Sequence, residues 1–309
     1  RARAWQEGYG AGPVTQAIYV ETDAAVQSTS RDLPVLVLIA SSIGWGWTDA
    51  PLLAFDIEGE GTLADPPSYA GPSGVHIRGQ SSAYQDKTPY RLELRDPQGH
   101  DHDHPLLGLP EAADWVLHAP YVDKSLMRNA LIFELGREMG LEAPRTHYAH
   151  LYVVDEGDEL TAGHYEGVYV LMETVEISSE RLDLEDLGPE VTSGTDLSGG
   201  YVLKFEADVA ESPILSGWGT LELYEPDPVT SPQLDWITDH VNDFDDLLFS
   251  SGFNDPSTGY AAWIDVDSWI HHLLINELTR DQDAYVRSAY FHKDRDGPLV
   301  MGPLWDYNL

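Results

Sequence analysis

Apolar residues change their spacing several times along this chain, and the changes divide it into elements. Leu33-Pro34-Val35-Leu36-Val37-Leu38-Ile39-Ala40 is an unbroken apolar run of strand length, as expected for a buried strand. Residues 1–33 before it are small, polar and weakly patterned, and read as an extended lead-in. From Ile43 to Pro72, Gly and Pro punctuate the chain around one short apolar stretch, Leu53 to Ile57, so loops flanking a single strand are expected. Alternation then takes over: Val75-His76-Ile77-Arg78-Gly79-Gln80-Ser81-Ser82 and Tyr90-Arg91-Leu92-Glu93-Leu94 read as two strands joined by a small-residue turn.

A helical period appears next. Leu126, Met127, Ala130, Leu131, Phe133, Leu135 and Met139 form a stripe over 124–139 that stops at Gly140. Tyr148 to Val154 and Gly167 to Met172 are strand-like and separated by the acidic turn Asp155-Glu156-Gly157-Asp158-Glu159, which lacks the spacing of a calcium loop. Beyond Glu173 come a polar loop, a strand over Gly200 to Phe205, and helices over 231–250 and 265–280. The pattern predicts an α+β protein, mostly β in its first half and mostly helical in its second, with no internal repeat.

Charge narrows the functions. Seventeen Lys and Arg stand against 53 Asp and Glu, a formal net charge of −36. Phosphate polymers and anionic lipids would meet a repulsive field over most of such a surface, so nucleic acid is an unfavourable partner, whereas cations and cationic partners are favoured. Cysteine is absent, which removes disulfides, thiolate metal sites and cysteine nucleophiles together. No stretch approaches the roughly 20 apolar residues of a membrane span, and Arg1-Ala2-Arg3 has neither an initiator Met nor a signal h-region, as expected of a mature form. So much acid suits a salty or divalent-rich setting, which points to an extracellular or cell-surface location.

Against this background a few residues stand out. Only four lysines occur, Lys87, Lys124, Lys204 and Lys293. Lys87 follows the Arg78-Gly79-Gln80-Ser81-Ser82 turn and precedes a strand, a placement suited to holding an ammonium near phosphate oxygens cradled by backbone N–H groups; the plain alternative is a solvated strand-start lysine. Asp283 and Asp306 bracket an expected β-hairpin that includes Ser288 to His292, and such a hairpin can bring both carboxylates to one mouth, one to orient a hydroxyl and one to hold Mg²⁺. Turn or cap roles are the alternative for both.

Several blocks, in order from about residue 34 to the C-terminus, resemble the spore coat protein H (CotH) kinase family. They are Arg78-Gly79-Gln80-Ser81-Ser82, Lys87-Thr88-Pro89-Tyr90-Arg91-Leu92-Glu93-Leu94, Leu107-Gly108-Leu109-Pro110 with Asp114-Trp115-Val116-Leu117, Asp123-Lys124-Ser125-Leu126-Met127-Arg128-Asn129-Ala130-Leu131, Gly167-Val168-Tyr169-Val170-Leu171-Met172-Glu173, and Gly302-Pro303-Leu304-Trp305-Asp306. The resemblance implies an atypical protein-kinase-like two-lobe fold, with a β-rich N-lobe over 34–173 carrying the one long helix and a helical C-lobe portion over 174–309. It also implies phosphorylation of Ser or Thr on protein partners, using ATP and Mg²⁺ or Mn²⁺. Position by position it makes Asp283 the catalytic aspartate, Asp306 the metal-binding aspartate and Lys87 the nucleotide-phosphate ligand beside Arg78, Ser81 and Ser82. Glu134, with Glu138 as its rival, is the acid that would orient Lys87, and Glu173 leads into a hinge whose backbone reads adenine.

The sequence departs from the family pattern in two places. Asn308 stands where the family block often has a second acid, and an amide oxygen there still offers a metal ligand. Family members usually continue past the position of Leu309 with more of the helical lobe. Two other readings of the same residues are a surface binding or adhesion module without activity, and a kinase-like enzyme that transfers AMP or ligates glutamate. The remaining features have plainer explanations: His100-Asp101-His102-Asp103-His104 as a solvated turn, His271 and His272 as packed helix residues, and Trp115 and Trp305 as core anchors.

Overall fold

The run from Leu33 forms strand β1 (Val35–Ile39), and its alternate residues serve two cores: Leu36 and Leu38 point into one cluster, Val35 and Val37 into another. A strand buried on both faces explains why its sequence shows no alternation. The computed structural model describes residues 2–3, 14–15, 17–28, 32–56, 62–206, 209, 213–217 and 219–308. These divide into two compact units, 1–126 with 145–174, and 127–144 with 175–309.

The first unit is built on a nine-stranded sheet. After β1 come β2 (Thr48–Asp49), β3 (Leu52–Phe55), β4 (Tyr69–Gly71), β5 (Ser73–Ile77), β6 (Tyr90–Leu94), β7 (Asp114–His118), β8 (Thr146–Val154) and β9 (Tyr165–Glu173). The order across the sheet is β2-β5-β6-β7-β9-β8-β1-β3-β4, antiparallel except for the β1–β8 pair. The two ends are made by the same two chain segments. Thr48 pairs with Val75 and Asp49 with Gly74 at one end, while Leu52 pairs with Gly71 and Ala54 with Tyr69 at the other, all in one unbroken register. Pro51 and Pro72 fall opposite each other in that register, where neither can donate a ladder hydrogen bond, and there the hairpin passes from one end of the sheet to the other. The sheet therefore curls until it meets itself, around a core that includes Leu92, Trp115, Leu151 and Tyr169.

Of the expected lead-in, residues 1, 4–13, 16 and 29–31 lie outside the described residues. Within it, Asp23 caps a single helical turn, Ala24–Gln27, and Ile18, Val20 and Val26 pack with Val35 and Tyr152. That part of the segment belongs to the core of the first unit. The strand expected up to Ile57 ends at Phe55, and Ile57 lies outside the described residues.

The second unit holds three helices and a sheet. Helix α1 (Arg128–Glu138) is the stripe read over 124–139, and it groups with this unit rather than with the β-rich half of the chain. Gly136 explains part of that grouping: a side chain there would overlap Leu304 and crowd Ile275. Helix α2 (Ser231–Leu248) starts where the Gln233 side chain reaches back to accept the Thr230 N–H at 2.8 Å, and α3 (Val266–Thr279) from the Asp265 carboxylate, which accepts the Ser268 N–H at 2.8 Å.

The expectation of a helical second half is corrected here. Strands β10 (Tyr201–Phe205), β11 (Pro213–Ser216), β12 (Gly219–Glu225), β13 (Ala289–Lys293) and β14 (Leu299–Met301) form an antiparallel sheet in the order β11-β12-β10-β13-β14. Ile237, Val241 and Phe244 of α2 pack against Tyr201, Leu203, Leu221 and Phe291 of that sheet. The protein is thus α+β, strand-rich in both units.

Candidate active site

In the first unit, β5 runs out into the turn Arg78 to Ser82. Gly79 takes a φ of 93°, a left-handed conformation open to glycine, and a side chain there would meet the Ser82 hydroxyl. Ser81 is exposed and Ser82 half-buried at the start of a single 3₁₀ turn, Ser82–Tyr84. Lys87 follows. Its ammonium donates to the Val168 carbonyl and lies 4.6 Å from the centre of the Tyr169 ring. Burial lowers the Lys87 pKa, and the Glu166 carboxylate opposes that shift.

His118, at the end of β7, shows that Lys87 and Arg78 share a neighbourhood. Its pKa is pushed down to about 4, first by burial, then by the Arg78 charge, with Lys87 adding to the effect and Asp123 opposing it. The imidazole is neutral over the physiological range and adds no charge of its own beside Arg78, Lys87 and Asp123. Nothing in the sequence pattern singled out His118.

Glu173 has a different role. It is 3% exposed and accepts from Arg145 through its backbone N–H at 2.7 Å and its guanidinium at 2.7 to 3.0 Å. Its own N–H donates to the Arg145 carbonyl at 3.2 Å. Both the carboxylate and the N–H of this residue are therefore engaged in holding β9.

In the second unit, α3 ends at Arg280, whose φ of 54° reverses the chain. Asp281 follows, and its carboxylate accepts the N–H of Asp283 at 3.2 Å. The Asp283 carbonyl accepts from Val286 and Arg287, and its carboxylate faces Arg287 at 3.9 Å. Tyr285 and Ser288 are also left-handed, so three non-glycine residues hold this loop in an uncommon shape. Such conformations persist only where the surroundings impose them.

The β13–β14 hairpin and the segment after it bring Asp306 near this loop. The Tyr307 hydroxyl donates to the Asn276 side chain at 2.7 Å, tying 306–308 to the helix that leads into Asp281. Burial raises the Asp281 pKa, the Asp283 N–H opposes that, and the charges of Asp283 and Asp306 raise it further. The two aspartates chosen from sequence thus share a neighbourhood with a third, Asp281, which the sequence showed only as one acid among several. Its burial is the distinguishing signal, and burial was not visible there.

Asn308 points its amide nitrogen at Asp306 and donates to it, so in this arrangement it orients the carboxylate. Glu134 is exposed on α1 and paired with Arg137. Lys87 has its own carboxylate neighbour in Glu166. Glu138 is exposed. Among the described residues no three His, Cys, Asp or Glu side chains are grouped to hold a metal by themselves. Mg²⁺ is ordinarily held by one or two carboxylates, with waters and substrate phosphates completing its shell. Asp306 with Asp281 fits that smaller donor set, and a cation would offset the Asp283 and Asp306 charges that add to the effect of burial on Asp281.

A model of the family described as CotH kinase protein matches residues 75–309. The chain belongs to the CotH kinase family. The match takes in Arg78, Lys87, Glu173, Asp281, Asp283 and Asp306, so each residue discussed above lies inside the CotH region. No curated protein sequence matches the chain. Membership of the CotH family makes a kinase-like function the coarse assignment. Among the described residues, no helix is long and apolar enough to cross a membrane.

Proposed function

We propose that this CotH-family chain transfers the terminal phosphoryl group of ATP to Ser or Thr of a protein partner, outside the cell or at its surface, with a divalent cation, Mg²⁺ or Mn²⁺. The observation that carries the reading is the family match across Lys87, Asp283 and Asp306. On this reading the fold is kinase-like as well.

Phosphoryl transfer asks a protein mainly for positioning and for neutralising charge, with little covalent work of its own. Lys87 and Arg78 supply fixed positive charge for phosphate oxygens, and the Ser81–Ser82 turn offers hydroxyl and backbone donors. Asp306 and Asp281 are the cation's ligands, Asn308 setting the angle of Asp306. When bound, the cation would offset charge on the phosphates. Asp283 accepts the proton of the attacking hydroxyl, whose oxygen bonds to phosphorus as ADP leaves. The acid surplus of the whole molecule, −36, repels free ATP, so nucleotide binding depends on the Lys87 and Arg78 charges and on the divalent cation.

The test is thermal unfolding with ATP, with and without Mg²⁺. Saturation at 100 times the dissociation constant stabilises by about 2.7 kcal/mol, a shift that is easy to read. Equal melting temperatures in the presence and absence of metal would overturn the reading in favour of a non-catalytic surface module. ATP labelled at the α or γ phosphate then separates AMP transfer from phosphoryl transfer, because only the former leaves the α label on protein.

A further inference from the structure

One cluster of reactive groups in the first unit lies outside this machinery. Strands β8 and β9 place His150 and Tyr152 around the ring of Tyr165, at centroid distances of 5.6 and 5.1 Å. The Tyr165 hydroxyl lies 2.7 Å from His150 Nδ1, and His150 Nε2 lies 3.3 Å from the Asp32 carboxylate. With the imidazole proton on Nε2, shared with Asp32, the bare Nδ1 accepts the phenolic proton. Tyr165 is 41% exposed and open to a reagent, whereas the His150 side chain is 12% exposed and its Asp32 partner 93%.

We propose that Tyr165 is a nucleophilic tyrosine and a modification site for phosphoryl-type electrophiles, with His150 as its base and Asp32 orienting the imidazole. In the step itself the phenolic oxygen attacks a tetrahedral phosphorus or sulfur centre carrying a leaving group. The new O–P or O–S bond forms as the bond to the leaving group breaks and takes its electron pair. The phenolic proton moves to Nδ1, and the resulting imidazolium is stabilised through Nε2–H by the Asp32 carboxylate. This is the nucleophile, base and orienting acid of acyl-transfer sites with a phenol in first place.

Four other tyrosines provide internal controls. Tyr19 and Tyr84 are more exposed, at 87% and 82%, and have no imidazole at the hydroxyl among the described residues. Tyr121 and Tyr285 donate to Asp86 and Glu277; the bond to Asp86 raises the pKa of the first, and burial followed by the Glu277 charge raises that of the second, so the phenolate is harder to form. Reactivity at Tyr165 should therefore exceed what exposure alone gives, and reactivity at the others should not.

The experiment treats the whole chain with an aryl sulfonyl fluoride and, separately, a fluorophosphonate, and maps labelled tyrosines by mass spectrometry over time. The expected result is labelling of Tyr165 at least tenfold faster than Tyr84 and Tyr19, reduced tenfold or more by His150→Gln and several-fold by Asp32→Asn. Labelling that simply follows exposure, or is unchanged in a folded His150→Gln, would overturn the proposal. Should that variant fail to fold, the wild-type pH profile decides. A Tyr165 profile distinct from that of Tyr84 supports the assignment, whereas a rate that climbs toward about pH 10 in parallel with Tyr84, as for an isolated phenol, defeats it.

Discussion

The backbone N–H of Asp283 donates to the Asp281 carboxylate at 3.2 Å, while the Asp283 carboxylate itself turns toward Arg287 at 3.9 Å. Two acids separated by one residue thus have different surroundings, and their substitutions should differ. Asp283→Asn keeps the shape and a hydrogen-bonding oxygen but loses the proton acceptor. ATP affinity in Mg²⁺ should stay within about twofold while phosphoryl transfer falls by roughly a hundredfold or more. Equal transfer rates in variant and wild type would remove Asp283 from the chemistry.

Asp281→Asn should behave in the opposite sense. The amide oxygen still accepts the Asp283 N–H, but the charge that interacts with those of Asp283 and Asp306 is gone. Without cation the variant should melt slightly higher than wild type, and its metal-dependent gain from ATP should be smaller. Titration calorimetry of ATP at fixed Mg²⁺ checks this, and an undiminished metal-dependent gain would leave Asp306 as the sole carboxylate ligand.

Arg145→Met leaves the buried Glu173 carboxylate without the guanidinium that now meets it at 2.7 Å. Removing one partner of a buried pair costs about 3–5 kcal/mol, because the remaining charge stays desolvated. Urea unfolding should register most of that loss, and the double variant Arg145→Met with Glu173→Gln should recover part of it.

Acid should destabilise the protein before its carboxylates titrate. His118, His240 and His272 are each pushed from 6.5 down to about 4, chiefly by burial, with Arg78 acting on the first and Lys293 on the second. A depressed histidine pKa favours the neutral form in the fold, so its contribution is complete above about 6.5 and is lost as pH falls toward 4. Each adds a slope of about 1.4 kcal/mol per pH unit across that window. Denaturant unfolding from pH 7 to 4.5 measures the sum. His240→Phe, which preserves stacking between Trp236 and Trp263, should flatten the slope by one such increment.

Gly136→Val places a branched side chain against Leu304 and Ile275, where the helix has no room for one. Overpacking of this kind costs about 1–3 kcal/mol, so the melting temperature should drop by several degrees. Pairing it with Leu304→Ala should return some of the loss.

What could be read in the sequence was local. The alternation at Tyr90–Leu94, the stripe that became Arg128–Glu138, and the helices Ser231–Leu248 and Val266–Thr279 all lie within a residue or a few of where the pattern placed them. The second sheet was missed because its membership is non-local: Tyr201–Phe205 pairs with Ala289–Lys293, almost ninety residues away, and no window contains both. Leu221 and Leu223, alternating with polar residues, were the available hint of a strand there. At the site, motif blocks picked out Lys87, Asp283 and Asp306. His118 and Asp281 stayed hidden because what distinguishes them is burial and the charges around them, neither of which spacing records. The left-handed turn at Arg280, Tyr285 and Ser288 was equally hidden, since no glycine marks it.

The curled sheet of the first unit leaves little backbone for another chain to copy. Because the Pro51 and Pro72 hairpin supplies both ends, only the outer sides of the short strands Thr48–Asp49 and Tyr69–Gly71 lack a neighbour in the strand order. In the second unit, Leu299 bonds to the backbone of Trp263 and Asp265 along its outer side, which leaves Pro213–Ser216 as the exposed rim among the described residues. That rim opens with a proline, which cannot donate to an added strand. The many carboxylates keep molecules apart by repulsion, and salt or divalent cations weaken that defence. Protection that resides in hydrogen bonding does not depend on ionic strength, so resistance to strand-mediated aggregation should persist at salt concentrations where charge alone would fail.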